Sequence, residues 1–125
     1  TTLVFSLMVF SSTCFADWTK VTENVDGDTF YVDFERIRKV DEYVYYWYLI
    51  DKAKPNLWGD LSYRGYYEGD CKLFRFKILR HSYYTEPMGE GIPSKSNNNP
   101  ENEWRYPPPD STSETILKTV CDYVN

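Results

Sequence analysis

Residues 43–50 have the sequence Tyr-Val-Tyr-Tyr-Trp-Tyr-Leu-Ile, which is the strongest strand pattern in the chain. β-Branched and aromatic residues favour extended chain, so the stretch predicts a strand, in which alternate side chains lie on opposite faces. One face carries Tyr43, Tyr45, Trp47 and Leu49, and the other carries Val44, Tyr46, Tyr48 and Ile50. Because both faces are apolar or aromatic, the strand either lies in a sheet covered on both sides or exposes an aromatic surface.

The segments on either side of this stretch predict further antiparallel strands. Asp26-Gly27 is typical of a hairpin turn. Gly69 is either a second hairpin turn or a bend in one long strand. Within the charged connector 35–40, we expect the Ile37 side chain to point toward the core. The predicted strands are residues 18–23, 29–34, 43–50, 63–68 and 73–84, and the predicted connectors are residues 35–40 and 52–61.

The last residues have the pattern of an amphipathic helix. Ser111 and Glu114 have the spacing of a capping box, which marks a helix N-terminus. The apolar residues after them form one stripe, and Cys121 belongs to it. The stripe, which we expect to face the sheet, comprises Ile116, Leu117, Val120, Cys121 and Val124.

The composition describes one small acidic domain. The chain has 125 residues, with 14 Lys and Arg against 19 Asp and Glu, and a formal net charge of −5. A nucleic-acid binder needs clustered cations, and the densest group here is only Arg36, Arg38 and Lys39. The sequence therefore excludes nucleic acid as the expected partner.

The first sixteen residues predict a signal peptide that lacks its basic n-region. Residues 1–16 contain no charge and include an apolar run that is too short to span a bilayer. We expect cleavage after Ala16 and a mature domain over residues 17–125, in the periplasm, at the outer membrane surface or secreted. A buried N-terminal strand is one alternative. Acylation of Cys14 is another, although Ser11 and Thr13 fit a lipoprotein signal poorly.

Removal of this leader would leave two cysteines, Cys71 and Cys121. In an exported protein such a pair predicts one disulfide. The bridge would close a loop of 50 residues, which stabilises the fold by about 4 kcal/mol in the chain-entropy account. A zinc site needs four ligands, and two separated cysteines with the lone His81 do not supply them. We therefore expect no metal.

Signals for catalysis are weak. His81 is the only histidine, and its neighbours Arg80 and Ser82 would project to the opposite face of the sheet. There is no Gly-x-Ser-x-Gly elbow, no marked pair of carboxylates and no phosphate-binding loop. We expect no enzyme and no cofactor, with a small hydrolase as the alternative.

The aromatic content is the strongest functional signal, with 12 Tyr, 7 Phe and 4 Trp. Tyrosine and tryptophan supply rigid contact area that is enriched where proteins bind partners. The alternative is that the rings fill the core, as expected for Trp18, Trp47, Phe74 and Phe76. The candidate binding or dimer surface comprises Tyr45, Tyr46, Tyr48, Tyr66, Tyr67 and, in the Pro-rich segment 87–110, Trp104.

The order and spacing of several short motifs resemble the bacterial surface-adhesin protein E family over nearly the whole mature chain. The motifs are Trp18, Tyr31-Val32-Asp33 followed by Arg36-Ile37-Arg38, the Trp47 strand ending in Asp51, Asp70-Cys71, Tyr84 before a Gly-containing loop, and a last helix ending in Val120-Cys121.

This resemblance implies an α+β fold, in which a single antiparallel β-sheet packs against a C-terminal α-helix and the family's cysteine pair falls on Cys71 and Cys121. It implies export to the cell surface or periplasm, no enzymatic activity, and binding to extracellular-matrix or serum proteins. We therefore expect a binding module that presents an aromatic sheet and the segment 87–110 to a protein partner or to a second copy. The alternative is a glycan-binding domain that stacks sugars on exposed Tyr and Trp.

Overall fold

The computed structural model describes residues 16–125. Residues 1–15 of the predicted signal peptide, with Cys14, lie outside the described residues. The elements are β1 (Thr19–Glu23), β2 (Thr29–Val32), β3 (Arg38–Val40), β4 (Tyr43–Asp51), β5 (Ser62–Asp70), β6 (Arg75–Tyr84), β7 (Lys95–Asn97) and α1 (Thr112–Val124).

The strands form one antiparallel sheet. Its order is β1-β2-β4-β5-β6-β7, and β3 also pairs with β4. One edge of β4 is divided between two neighbours, because β2 pairs with its C-terminal half and β3 with its N-terminal half. With α1 packed on the sheet, the α+β class expected from the sequence is confirmed.

The core lies between α1 and one face of the sheet, which we call the inner face. The apolar stripe of α1 is buried there, as its pattern predicts. Ser111 caps the helix, since its Oγ accepts a hydrogen bond from Glu114 N at 3.1 Å. The buried apolar side chains of the core include Val32, Val44, Tyr46, Tyr48, Tyr67, Phe76, Ile116, Leu117 and Val120.

Two glycines of β5 make room for this packing. A Cβ at Gly69 would lie 3.0 Å from both Leu117 Cδ1 and Val44 Cγ1, so the missing side chain lets the helix approach. A Cβ at Gly65 would lie 2.4 Å from Tyr67 Cε1. Without it, the Tyr63 and Tyr67 rings lean toward each other and their hydroxyls hydrogen-bond at 2.8 Å.

A disulfide joins Cys71 to Cys121, with the two Cα atoms 5.6 Å apart. Cys71 directly follows β5, and Cys121 lies on the buried side of α1. The bridge therefore ties the C-terminal helix to the turn between two central strands, as the sequence predicts.

The structure resolves the ambiguity at Gly69. This glycine lies inside β5, and the chain turns afterwards through Cys71–Phe74, where Phe74 has a φ of 51°. β5 and β6 are thus two strands of a hairpin. Segment 35–40, expected to be only a connector, contains the end of a 3-10 helix (Phe34–Arg36) and the edge strand β3. The side chains of β3 are exposed, so no apolar alternation revealed it.

Segment 87–110 contains regular structure despite its high proline content. It contains a 3-10 helix (Pro87–Gly89), the strand β7, and a bridge between Arg105 and Phe76 with N–O distances of 2.8 and 2.9 Å. Backbone hydrogen bonds to β6 hold it in place, including Ser94 N to Tyr83 O at 2.8 Å. Such bonds leave no signature in side-chain periodicity.

Replacing both Cys71 and Cys121 by Ser should lower the free energy of unfolding by about 4 kcal/mol, because the unfolded chain regains the entropy of an open loop. Urea unfolding under oxidising conditions measures this loss. Wild-type protein with reductant is the matched control, and its urea midpoint should equal that of the variant. Equal urea midpoints for variant and oxidised wild type would contradict the role given to the bridge.

Candidate binding surface on the outer face of the sheet

The outer face of the sheet, opposite α1, carries aromatic and cationic side chains in register. Residues paired across antiparallel strands lie on the same face. Aromatic rings dominate this face on β4, Tyr66 adds one ring from β5, and cations dominate it on β6. The cross-strand rows of the outer face are Leu49-Arg64-Ser82, Trp47-Tyr66-Arg80, Tyr45-Glu68-Lys77 and Asp70-Arg75.

The central row forms a stacked group of two rings and one guanidinium. The Trp47 and Tyr66 ring centroids are 4.9 Å apart, and the Arg80 guanidinium lies 5.1 Å from each of them. Tyr45 adds a third ring, 6.2 Å from Tyr66. The negative face of an aromatic ring attracts a cation, so these contacts fix the arginine over the rings.

Trp104 forms a second group at the neighbouring end of the face. Its ring lies 4.3 Å from the Arg75 guanidinium, 4.5 Å from Lys77 Nζ and 5.3 Å from the Tyr43 ring. Segment 87–110 therefore places the Trp104 side chain on the outer face of the sheet. The ring is half-buried, so part of it faces solvent.

The outer face is basic although the chain has a net charge of −5. Asp70 Oδ2 pairs with Arg75 Nε at 2.9 Å. Arg64, Lys77 and Arg80 take part in none of the ion pairs found among residues 16–125. Three cations thus stand on one face without an acidic partner from this part of the chain.

The Glu68 carboxylate is held by a neighbouring ring. The Tyr45 hydroxyl donates a hydrogen bond of 2.7 Å to Glu68 Oε2. This bond, together with burial and the carboxylate charge, raises the pKa of Tyr45 to about 12. The phenol therefore stays protonated at neutral pH and keeps the carboxylate engaged within the face.

The structure corrects half of the predicted binding surface. Tyr46, Tyr48 and Tyr67 are only 1%, 5% and 8% exposed, because they lie on the inner face beneath α1. Burial raises the pKa of each of these three phenols. They belong to the core, and the prediction that they form a surface is wrong. Tyr45 and Tyr66, in contrast, lie half-buried on the outer face.

Sequence reasoning also placed some outer-face residues wrongly or missed them. Trp47 was expected in the core but stacks on the outer face, and Trp18 lines the same groove beside Trp47 and Arg64. The cationic column on β6 was missed as a site. Its signal was present, since Lys77 and Arg75 alternate with Phe76 and Ile78, and alternation separates the two faces of a strand.

His81 lies on the inner face, opposite the cationic column. Its ring centroid is 5.6 Å from that of Tyr63 and 5.8 Å from that of Tyr83, and burial lowers its pKa. Among residues 16–125, no group of three or more His, Cys, Asp and Glu side chains could hold a metal ion. In the same range, no helix has the length and apolar character needed to cross a membrane.

Comparison with known proteins identifies related sequences and folds. The sequence model of the family described as surface-adhesin protein E matches residues 18–122. Crystal form II of Haemophilus influenzae protein E has a TM-score of 0.65 at 19% identity, over 86% of this chain and 90% of that chain. Protein E from non-typeable Haemophilus influenzae gives 0.64 at 18% identity, over 89% and 79%. No curated protein sequence matches the chain.

Adjacent tyrosines of β4 should differ sharply in their contribution to stability. Tyr46→Ser should lower the free energy of unfolding by about 3–5 kcal/mol, because it opens a cavity beneath α1. Tyr45→Ser should cost about 1 kcal/mol, since it removes one hydrogen bond and one partly exposed ring contact. Urea unfolding of both variants tests the assignment of faces. Similar losses in the two variants would refute it.

Glu68→Ala should return the pKa of Tyr45 from about 12 toward its ordinary value of 10. Because the folded-state pKa is raised, the stabilisation by this bond is complete below pH 10 and is lost as the pH rises to about 12. Carbon-13 NMR of labelled tyrosine measures the titration, with Glu35→Ala at an exposed acid as the control. An unchanged Tyr45 titration in Glu68→Ala would rule out this cause.

Proposed function

This chain belongs to the surface-adhesin protein E family, and we propose from that premise that it is an exported, non-enzymatic adhesin. Its site is the outer face of the sheet, which binds a protein partner. The proposed location is the periplasm, the outer membrane surface or the surrounding medium. The single observation that carries the proposal is the half-buried aromatic surface with unpaired cations over it.

The chemistry of this face suits protein recognition. Tyrosine, tryptophan and arginine are the residues that dominate the energy of protein interfaces. Here Trp47, Tyr66 and Arg80 are already stacked on each other, and Trp104 is held by two cations. Because the side chains are fixed before binding, little conformational entropy is lost when a partner covers them.

The charge of the face suggests an acidic partner. Arg64, Lys77 and Arg80 are free to pair with carboxylates of another protein. The net charge of the whole chain is negative, so an acidic partner is repelled by the rest of the surface and attracted to this face. Complementary charge of this kind sets the orientation of binding as much as its strength.

The cationic face also bears on self-association. In a symmetric dimer the same patch meets itself, and here that would bring Arg80 and Lys77 of one copy toward those of the other. Like charges disfavour this contact. A homodimer through another surface would leave the outer face free for its partner.

The non-enzymatic part of the proposal is supported by the position of His81. This single histidine packs against aromatic rings on the inner face, whereas the open face presents cations and aromatic rings. Catalysis of acyl transfer would need a nucleophile and a base within hydrogen-bond reach of each other. Binding requires only the arrangement that the outer face already has.

Arg80→Glu should weaken binding to the partner by at least about tenfold, equivalent to about 1.4 kcal/mol, because it reverses one of the unpaired charges. The measurement is surface plasmon resonance on a panel of purified extracellular-matrix and serum proteins. Trp104→Ala should weaken the same interaction. Lys118→Glu, the same charge reversal on the exposed side of α1, is the matched control and should bind as wild type does.

Salt supplies a second test of the same surface. Binding by wild-type protein should weaken as ionic strength rises, and the dependence should be shallower in Arg80→Glu. Absence of binding to every protein in the panel would contradict the adhesin proposal. Binding that is unaffected by both Arg80→Glu and Trp104→Ala would move the site away from the outer face.

A further inference from the structure

Two loops at one end of the sheet share a motif and a geometry. Residues 24–28 and 56–60 both have the pattern Asn-x-x-Gly-Asp. In the first, Asn24 Oδ1 accepts hydrogen bonds from the backbone N of the third and fifth residues, both at 3.0 Å. In the second, Asn56 Oδ1 accepts the equivalent bonds at 3.0 and 2.9 Å. The glycines have φ values of 84° and 81°.

The third residue distinguishes the two loops. It is Asp26 in the first and Trp58 in the second, so this loop structure forms without a tryptophan. The Trp58 side chain is 80% exposed, although its own backbone is fixed by the Asn56 hydrogen bonds. A large ring left in solvent contributes little to folding, and the fixed backbone keeps its point of attachment beside an open cleft.

Trp58 forms one wall of an open cleft of about 460 Å³. The opposite wall is fixed to the loop, since Ser94 Oγ donates a hydrogen bond of 2.6 Å to Asp60 Oδ1. Ser94 N also donates to Tyr83 O at 2.8 Å. The cleft is therefore preformed, and its lining residues are Asn56, Trp58, Asp60, Tyr83, Ser94 and Lys95.

We propose that this cleft binds a sugar ring of a neutral glycan, stacked on Trp58. The axial C–H groups of a pyranose carry partial positive charge and pack on the negative face of an indole. The hydroxyls of the sugar need donors and acceptors together. Lys95 and Tyr83 supply donors, and the Asp60 carboxylate and the Tyr83 hydroxyl add acceptor oxygens.

The polar walls favour a sugar over a lipid surface. A membrane-inserting tip needs a continuous apolar contact, yet the residues that line the cleft together with Trp58 are polar or charged, with Tyr83 presenting a hydroxyl. Leu57 is 95% exposed beside Trp58 but does not line the cleft. This difference separates the two ligands, because a lipid would use Leu57 and Trp58 together and a sugar would use Trp58 alone.

The site is independent of the outer face. None of its lining residues belongs to the cross-strand rows listed above, and Tyr83 lies in the row that contains the buried Tyr63. Sugar stacking, which the sequence suggested for exposed Tyr and Trp in general, is thus assigned to one cleft. Failure of this proposal would leave the outer-face proposal intact, and the reverse also holds.

NMR titration of the folded protein tests the assignment. The probes are lactose, cellobiose and N,N′-diacetylchitobiose, each added to about 50 mM, and the signals are the Trp58 indole N–H and the Ser94 and Lys95 amides. One disaccharide should give saturable shifts with a millimolar Kd. Trp58→Ala should weaken binding about tenfold, while Leu57→Ala should leave it unchanged. Arg80→Glu should also bind the sugar normally.

Three results would overturn the proposal. The first is the absence of saturable shifts with all three disaccharides. The second is equal sugar binding by Trp58→Ala and wild type. The third is broadening of these signals when phosphatidylcholine vesicles are added, provided that Leu57→Ala and Trp58→Ala each abolish the broadening. That result would assign the loop to a lipid surface. Thermal unfolding of each variant checks that it is folded.

Discussion

The packing of α1 against the inner face of the sheet determines which side chains of the strands are buried. Alternate residues of β4 and β5 point to opposite faces, so α1 buries the side chains of the inner face. On the outer face, the segment around Gly89 covers Leu49, whereas Tyr45, Trp47 and Tyr66 stay half-buried. Gly69 lets the helix approach, and the bridge between Cys71 and Cys121 keeps its C-terminal half in place. The part of the outer face around Tyr45, Trp47 and Tyr66 therefore lies directly over a packed inner face.

Much of this arrangement could be predicted from the sequence. The central strands and the helix beginning after Ser111 followed from residue alternation, apolar periodicity and capping residues. The cysteine pairing followed from the cysteine count after removal of the leader, and the α+β class followed from the family resemblance. The short strands β3 and β7 could not be predicted, because their side chains are exposed and backbone hydrogen bonds define them. The division of tyrosines was missed for a different reason: both faces of residues 43–50 are aromatic, so periodicity alone does not say which one the helix covers.

Signals for the missed features were nevertheless present in the sequence. Gly65 and Gly69 share one face of β5, and that is the face with room for the Tyr63–Tyr67 contact and for α1. The repeated Asn-x-x-Gly-Asp motif at residues 24–28 and 56–60 marks two equivalent loops, and only one of them carries a tryptophan. Glycine position within a strand and a short internal repeat were thus more informative about the sites than the number of aromatic residues.

Strand alternation divides the aromatic residues of β4 and β5 into a covered set and a partly open set. Hydroxyl-radical footprinting with mass spectrometry measures solvent access at individual side chains and thereby tests this division. We expect rapid oxidation of Tyr45, Tyr66 and Trp104 and strong protection of Tyr46 and Tyr48. Oxidation of Tyr46 as fast as that of Tyr45 would show that the division is wrong.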